Sequence, residues 1–444
     1  MRAAAHFVVV ALVVPSLISA QESQRLTLGD AARMAADNST PVLEAQARAE
    51  AAEARVGVTT AGLLPSVDAD LMQTGRTFNT ASFGLDFPTP PGQPPLFDPD
   101  GEVVGPVRGV DLRARADIPL VDLGAWRRRR TARSNVAAAR QDVEAASEAA
   151  ALTAARAYLA NLRAQADIAA RQEDLALAEE LLVVARGLVE SGVGVAIDQT
   201  RAEAQVATIR AQLVSVEHRA AAAELALRRA LEIDDGTTID FADDLTSMPT
   251  STDLTQDEAI ALALERRRDL SAALARETAA EDAVSATRAG RLPRLTAAID
   301  EGFYGRRYGN LLNTYSWSVR LTVPLFDGLE RSSLLREEES RVREIGYRLE
   351  DLREDIVFQV RRSLLDLEAA QELAAAAEER QRLAELEVEQ ENERVRAGVA
   401  GTADAVRAAM RLNEARTARL DALSALQESR VGLAAATGTV VELP

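Results

Sequence analysis

Two histidines, His6 and His218, and no cysteine stand in a chain of 444 residues. That set removes thiol nucleophiles, thiolate metal sites, disulfides and lipid attachment through an N-terminal cysteine. His6 falls in the first twenty residues, read below as a leader, so His218 would be alone in the mature chain. A Ser-His-Asp triad or a multi-histidine metal site then has little to draw on. Carboxylate pairs, the other route to hydrolysis, sit here on Ala-rich stretches without an obvious cleft, and His218 within "VSVEHRAAAAEL" reads as an ordinary helix-surface residue. The expectation is no enzyme and no metal site.

A different spacing occurs twice. In "SGVGVAIDQTRAEA" (191–204) and "AGVAGTADAVRAAM" (397–410), Gly192 or Gly398 is followed six residues later by Asp198 or Asp404. Glycine suits a tight turn, and each aspartate is expected to cap the short helix that follows. The one dense basic run is "WRRRRTAR" (126–133). With a net charge of -18 and every side-chain base except histidine an arginine, nucleic acid is not an expected partner. Pairing with carboxylates on a neighbouring helix is one reading of the run.

The elements that would position these residues follow from pattern. "MRAAAHFVVVALVVPSLISA" carries Arg2, an apolar run and a small residue at Ala20, the layout of a signal peptide cleaved near Ala20, with an uncleaved anchor as the alternative. No later stretch has 18 continuous apolar residues, so no membrane-crossing helix is expected. Residues 26–69 align without a gap to 254–297: Leu26, Thr27, Gly62, Leu64 and Pro65 match Leu254, Thr255, Gly290, Leu292 and Pro293. The chain is therefore duplicated. It divides into a leader (1–20), a first repeat (24–231), an acidic, turn-rich linker (232–253), a second repeat (254–436) and a tail (437–444).

Within each repeat an Ala-rich stretch, 29–62 or 256–289, favours helix. It should stop at Gly62 or Gly290 in a left-handed cap, with Pro65 or Pro293 preventing continuation. Alternation at period two follows, predicting strands at about 65–76, 110–121, 293–304 and 314–325. In "VDLRARADIPL" Val110, Leu112, Ala114, Ala116 and Ile118 oppose Asp111, Arg113, Arg115 and Asp117; in "YSWSVRLTVPL" Tyr315, Trp317, Val319 and Leu321 oppose Ser316, Ser318, Arg320 and Thr322. Such strands suit a barrel wall between lipid and water, and equally a soluble sandwich. Pro119 and Pro324 mark strand ends, and Asp122 and Asp327 are candidate N-caps of the helices beyond. The Pro/Gly-rich segment 84–109 and the shorter 305–314 read as loops, and Tyr304, Tyr308, Tyr315 and Trp317 as an interfacial aromatic belt.

Long helices follow. Trp126–Arg186 holds no Pro or Gly and Leu329–Ala397 only Gly346 as a soft point, roughly 60 and 70 residues or ~90 and ~100 Å. Val342, Ile345, Leu349, Leu352 and Ile356 keep the 3,4 spacing of a coiled coil. Short helices at 199–231 and 403–434 complete each half as a continuous helix packed against a broken one.

The duplicated helix, strand, strand, helix plan, the "LP" and "VPLFDG" strand borders and the two Gly-x5-Asp tips resemble the TolC family of outer-membrane efflux channels, over about residues 24–436. Gln199 and Ala405 depart from the valine usual after the tip aspartate. The resemblance implies a mainly α chain with a membrane β-barrel: a homotrimer whose protomers each give four strands to a twelve-stranded barrel and their helices to a periplasmic tunnel. It also implies passive conduction to the exterior from an inner-membrane pump through a periplasmic adaptor, with no cofactor in the channel, in drug or metal efflux or in protein secretion. Gly192, Asp198, Gly398 and Asp404 would then form the adaptor-docking tips, with Asp404 a candidate gate residue, and the basic run would lie below the barrel within reach of phospholipid headgroups. The rival reading is an exported coiled-coil scaffold with its strands in a soluble sheet.

Overall fold

The computed structural model describes residues 24–84, 90, 92–93, 100–234, 237–246, 248, 254–397 and 399–444. The expected leader, Gly398, and parts of the 84–109 loop and of the 232–253 linker lie outside the described residues. In the first repeat the elements are β1 (Gln24–Leu26), α1 (Leu28–Asn38), α2 (Thr40–Ala61), β2 (Ser66–Asn79), β3 (Val103–Val121), α3 (Leu123–Glu190) and α4 (Ala196–Leu231). After β4 (Ile239–Phe241) come α5 (Gln256–Arg266), α6 (Arg268–Ala289), β5 (Arg294–Gly305), β6 (Leu311–Thr322), α7 (Glu330–Arg396) and α8 (Thr402–Thr437).

The repeated Leu-Thr opens a helix in both halves by the same device. Thr27 accepts from the Asp30 amide while Asp30 accepts from the Thr27 amide, and Thr255 and Glu258 exchange the same pair of bonds. The single helix expected at 29–62 is two, broken at Ser39, whose ψ of 147° is extended. Pro41 explains the break: inside a helix it would lack a donor and clash with the preceding turn, whereas in the first turn of α2 neither matters. The helix expected at 256–289 breaks at the equivalent position, Arg267 (φ -63°, ψ 123°), without a proline. Nor do the helices end as expected. Gly290 is right-handed (φ -60°), and Gly62 is not among the residues with positive φ. Short-range bonds such as Leu64 N–H to Ala61 O (3.1 Å) and Leu292 N–H to Ala289 O (3.0 Å) close both turns, and Pro65 and Pro293 then stand immediately before β2 and β5.

Two compact units divide the chain, and each draws on both repeats. The unit of Glu44–Ala145 and Arg267–Asp355 contains an antiparallel sheet in the order β2-β3-β5-β6, which leaves β2 and β6 as its edges. β3 begins at Val103, inside the segment expected to be loop. Val103, Val104 and Val107 pair with Asn79, Phe78 and Arg76, and the register shift between Arg76 and Phe78 absorbs the extra residues around Pro106. β6 stops at Thr322 rather than 325, so Pro324 lies beyond its end, while Pro119 sits at a register shift two residues before β3 ends. Asp122 caps α3 through the Ala125 amide (2.7 Å), and Asp327 accepts from the Arg331 amide (3.1 Å).

Pairing across the sheet separates two faces. Val67, Leu71, Leu112, Ile299, Phe303, Trp317, Val319 and Leu321 share one side, and all are at least half exposed or nearly so. The other side carries rows such as Asp68, Arg115, Asp300 and Ser316, tied together where Arg113 and Ser316 both donate to Asp300. Tyr304 pairs with Asp111 and Leu312 and so lies on this charged side, apart from Tyr315 and Trp317; the four aromatics do not form one belt.

In the unit of Ala146–Arg266, Ile356–Pro444 and the described residues of Met1–Leu43, helices pack through alanine and leucine. One cluster joins Leu181 and Ala185 of α3, Val206 and Ile209 of α4, Val395 of α7 and Val406 and Ala409 of α8. A second joins Leu367 and Ala370 of α7 to Leu420, Leu423 and Leu426 of α8. Alanines such as Ala408 and Ala415 are fully buried, which lets the backbones approach closely. Part of the linker takes a defined place: β4 pairs in parallel with β1, and the Tyr158 hydroxyl of α3 donates to Leu26 O (2.8 Å) beside Asp243, against the Phe241 ring. Among the described residues no helix is long and apolar enough to cross a membrane.

Candidate functional site

α3 and α4, and likewise α7 and α8, are joined by turns of five residues each, 191–195 and 397–401. In the first turn Gly192 has φ 76°, a left-handed conformation that costs a side-chain-bearing residue but not glycine. A Cβ there would meet nothing within 4 Å, so backbone conformation, not space, calls for glycine. Val193 and Gly194 then donate to Leu188 O at 3.0 and 2.8 Å, closing the end of α3. Gly398 lies outside the described residues; around it, Val399 donates to Arg394 O (3.0 Å), and Gly401 is the N-cap of α8.

The two tip aspartates are not N-caps. Val195 and Gly401 hold the cap positions, without side-chain hydrogen bonds, and Asp198 and Asp404 lie three residues further, inside the first turns of α4 and α8. The turns finish earlier than the spacing implied: Val193 and Val399 already bond back to Leu188 O and Arg394 O, and the next helices start at Ala196 and Thr402. From inside the first turn each carboxylate still meets the positive end of its helix. Each also pairs with an arginine one turn on: Asp198 with Arg201 (3.1 Å) and Asp404 with Arg407 (2.7 Å). Their surroundings differ. The Asp404 side chain is 46% exposed, whereas that of Asp198 is 15% exposed and lies beside Gly401, where a Cβ would come within 3.5 Å of Oδ2. Asp198 thus sits close to the start of α8 as well as its own helix, and the structure brings the two tips together.

Between them runs a cleft of about 490 Å³. Arg201, Gln205 and Thr208 of α4 form one wall and Ala403, Arg407 and Met410 of α8 the other, above the apolar cluster that binds all four helices. Val193, Val195, Ile197 and Val399 stand exposed around the turns. The arrangement offers two guanidinium groups, a narrow apolar floor and an apolar rim. Among the described residues no group of three or more His, Asp or Glu is placed to hold a metal. Arg201 and Arg407 went unrecognised in the sequence, although Asp-x-x-Arg follows both turns, as "DQTR" and "DAVR".

Further along the same helices lies a buried polar network. Asp174 of α3 pairs with Arg171 (3.0 Å) and with Arg416 of α8 (2.8 Å), and accepts from the Asn413 amide (2.8 Å). Arg171 in turn donates to the Thr417 hydroxyl (2.7 Å). Burial pushes the Asp174 carboxyl above its ordinary value, opposed by the two arginines.

Comparison with known proteins adds a family. The sequence profile described as outer membrane efflux protein matches residues 31–232 and 259–439. Among solved structures, a membrane protein from Pseudomonas aeruginosa is similar with a TM-score of 0.76 and 21% identity, over 93% of each chain. The CmeC outer membrane channel of Campylobacter jejuni is similar with a TM-score of 0.76 and 18% identity, over 93% of this chain and 85% of that one. The open-state MtrE outer membrane channel of Neisseria gonorrhoeae gives 0.75 and 19%, over 93% and 89%. At these identities the likeness is one of fold. No curated protein matches the sequence.

Proposed function

The chain belongs to the outer membrane efflux protein family, and from that membership we propose that it is the exit duct of a tripartite efflux or secretion system, a homotrimer in the outer membrane with its helices in the periplasm. The observation that carries this reading is the sheet, with one exposed apolar face, one charged face and two unpaired edges. Open edges in lipid leave backbone donors and acceptors unsatisfied at several kcal/mol each, and four strands are too few to close around a pore. β2 and β6 run in opposite directions, so β6 of one copy meets β2 of the next as an antiparallel neighbour. Three copies give twelve strands, with the apolar face toward lipid and the Asp/Arg rows toward water. The soluble-scaffold reading leaves that apolar face without cover.

Conduction is passive: an inner-membrane pump supplies the energy, and an adaptor joins pump to duct. The adaptor docks at the paired tips, with Gly192 shaping the first turn, Asp198, Arg201, Asp404 and Arg407 framing the cleft, and Gly398 included from its place in the sequence. Asp404, the more exposed aspartate, is the gate candidate, because three copies around an axis would repel one another and attract cations. The test is the mass and single-channel conductance of protein extracted from outer membranes into detergent and reconstituted in a planar bilayer. A trimeric mass with discrete conductance steps is expected; a soluble monomer without conductance overturns the reading.

A further inference from the structure

The basic run at the start of α3 is not used by the duct. Three of its five arginines are engaged within their own unit: Arg128 with Asp122 (3.7 Å), Arg129 with the Thr60 hydroxyl (2.9 Å) and Arg130 with Asp282 (2.9 Å). Arg127 and Arg133 are exposed and make no side-chain hydrogen bond or ion pair among the described residues. Arg133 is six residues further along α3, ~9 Å from Arg127, whereas Arg127 lies within two turns of the end of β3. Its neighbour Trp126 is 61% exposed, and Leu123 49%.

A second crossing from helix to sheet adjoins this one. Gly124 packs near the carbonyl of Ala289, and Val121 pairs with Leu295, so the turn between α6 and β5 runs beside the first turn of α3. That turn presents Arg291, also exposed and unpaired among the described residues, and the exposed Leu292. Where the sheet gives way to helices, two guanidinium groups without a partner among the described residues therefore share one crossing with the exposed Trp126, Leu123 and Leu292. This crossing lies at the end of the sheet, in a chain of strong net negative charge.

We infer that Arg127 and Arg291, with Trp126 between polar and apolar surroundings, bind the anionic phosphodiester headgroup of a phospholipid in the leaflet on the helical side of the barrel. The inference rests on the membrane reading above. A guanidinium fork matches the geometry of phosphate oxygens, and an amphipathic indole is at home at the headgroup level. The leucines meet the upper acyl chains. Anionic lipid is thereby selected over zwitterionic lipid, by roughly fivefold per arginine in local enrichment.

Trp126 and Trp317 are the two tryptophans of the chain, which supplies the test. Trp317→Phe leaves Trp126 as reporter at the collar, and Trp126→Phe leaves Trp317 on the apolar sheet face. Each full-length variant is reconstituted in phosphatidylcholine vesicles containing a minor fraction of phosphatidylglycerol. Acyl-chain bromine is carried by one lipid or by the other, and quenching is compared per brominated lipid. Trp126 should be quenched severalfold more effectively by brominated phosphatidylglycerol, and adding Arg127→Gln and Arg291→Gln should abolish that advantage while Trp317 quenching persists. Equal quenching of Trp126 by both lipids overturns the headgroup site. So does quenching of Trp317 alone, which would mean that protein covers the collar. If neither tryptophan is quenched, the membrane reading falls and the collar site with it.

Discussion

Gly192 holds φ 76° in open space, so an alanine there meets no neighbour and still suffers the left-handed backbone. Gly192→Ala should lower stability by about 1–2 kcal/mol, visible as a reduced thermal midpoint in detergent. Asp404→Asn tests the gate: a change in closed and open lifetimes in planar bilayers is expected, whereas unaltered records would assign Asp404 to its helix terminus and Arg407 alone. The caps carry a pH dependence. Hydrogen bonds from the Thr255 hydroxyl and amide hold the Glu258 carboxyl below its ordinary value, and bonds from Arg33 and then Thr27 do the same for Asp30. A carboxyl depressed in the folded state adds stability above its unfolded pKa and loses it as pH falls through the folded one. Glu258→Gln should therefore lower the thermal midpoint at neutral pH, and the difference from the parent should close once the medium is acidified below the carboxylate range. A constant difference would point to packing instead. These caps were only half legible. Leu-Thr was visible as a repeated start, but the partner differs between halves, Asp30 in one and Glu258 in the other, so simple identity matching passes over it.

Among the elements, α3 and α8 are joined by groups that periodicity does not distinguish from a solvated helix face. Asp174 has almost no exposed side chain and faces two arginines, one of them equally buried. Asp174→Ala should destabilise by about 3–5 kcal/mol, since it leaves buried positive charge uncompensated; Asp174→Asn combined with Arg171→Met should recover much of that loss in the same thermal assay. The long helices α3 and α7, of 68 and 67 residues, were legible from the lack of Pro and the scarcity of Gly, together with the 3,4 apolar spacing from Val342 to Ile356. Their shorter counterparts were less so. Pro41 announced the break at Ser39 to anyone counting donors, but Arg267 carries no local breaker, and there the second repeat follows the geometry of the first without its cause. β3 was misjudged for the opposite reason: Gly105 and Pro106 look like loop, yet a register shift accommodates them while the flanking valines pair.

For the whole molecule, alternation assigns opposite fates to adjacent residues of β6. Val319 lies on the exposed apolar face and Ser318 on the charged one. Val319→Arg should cost about 2–4 kcal/mol of membrane stability if it lies near mid-bilayer, read as loss of protein from the outer-membrane fraction. Ser318→Arg should insert normally and shift ion selectivity in bilayer recordings; equal behaviour of the two variants would contradict a lipid-facing side. The exposed edges also carry a consequence in time. A protomer with β2 and β6 unpaired has every hydrogen-bonding group needed to pair with the wrong chain as readily as the right one. For the trimer proposed above, the interval between export and ring closure is then the vulnerable stage of the chain's life. Its length depends on how often copies meet, so the yield of assembled duct should fall more steeply than the rate of synthesis when expression is reduced, with the shortfall appearing as degraded or aggregated chain rather than as idle monomer.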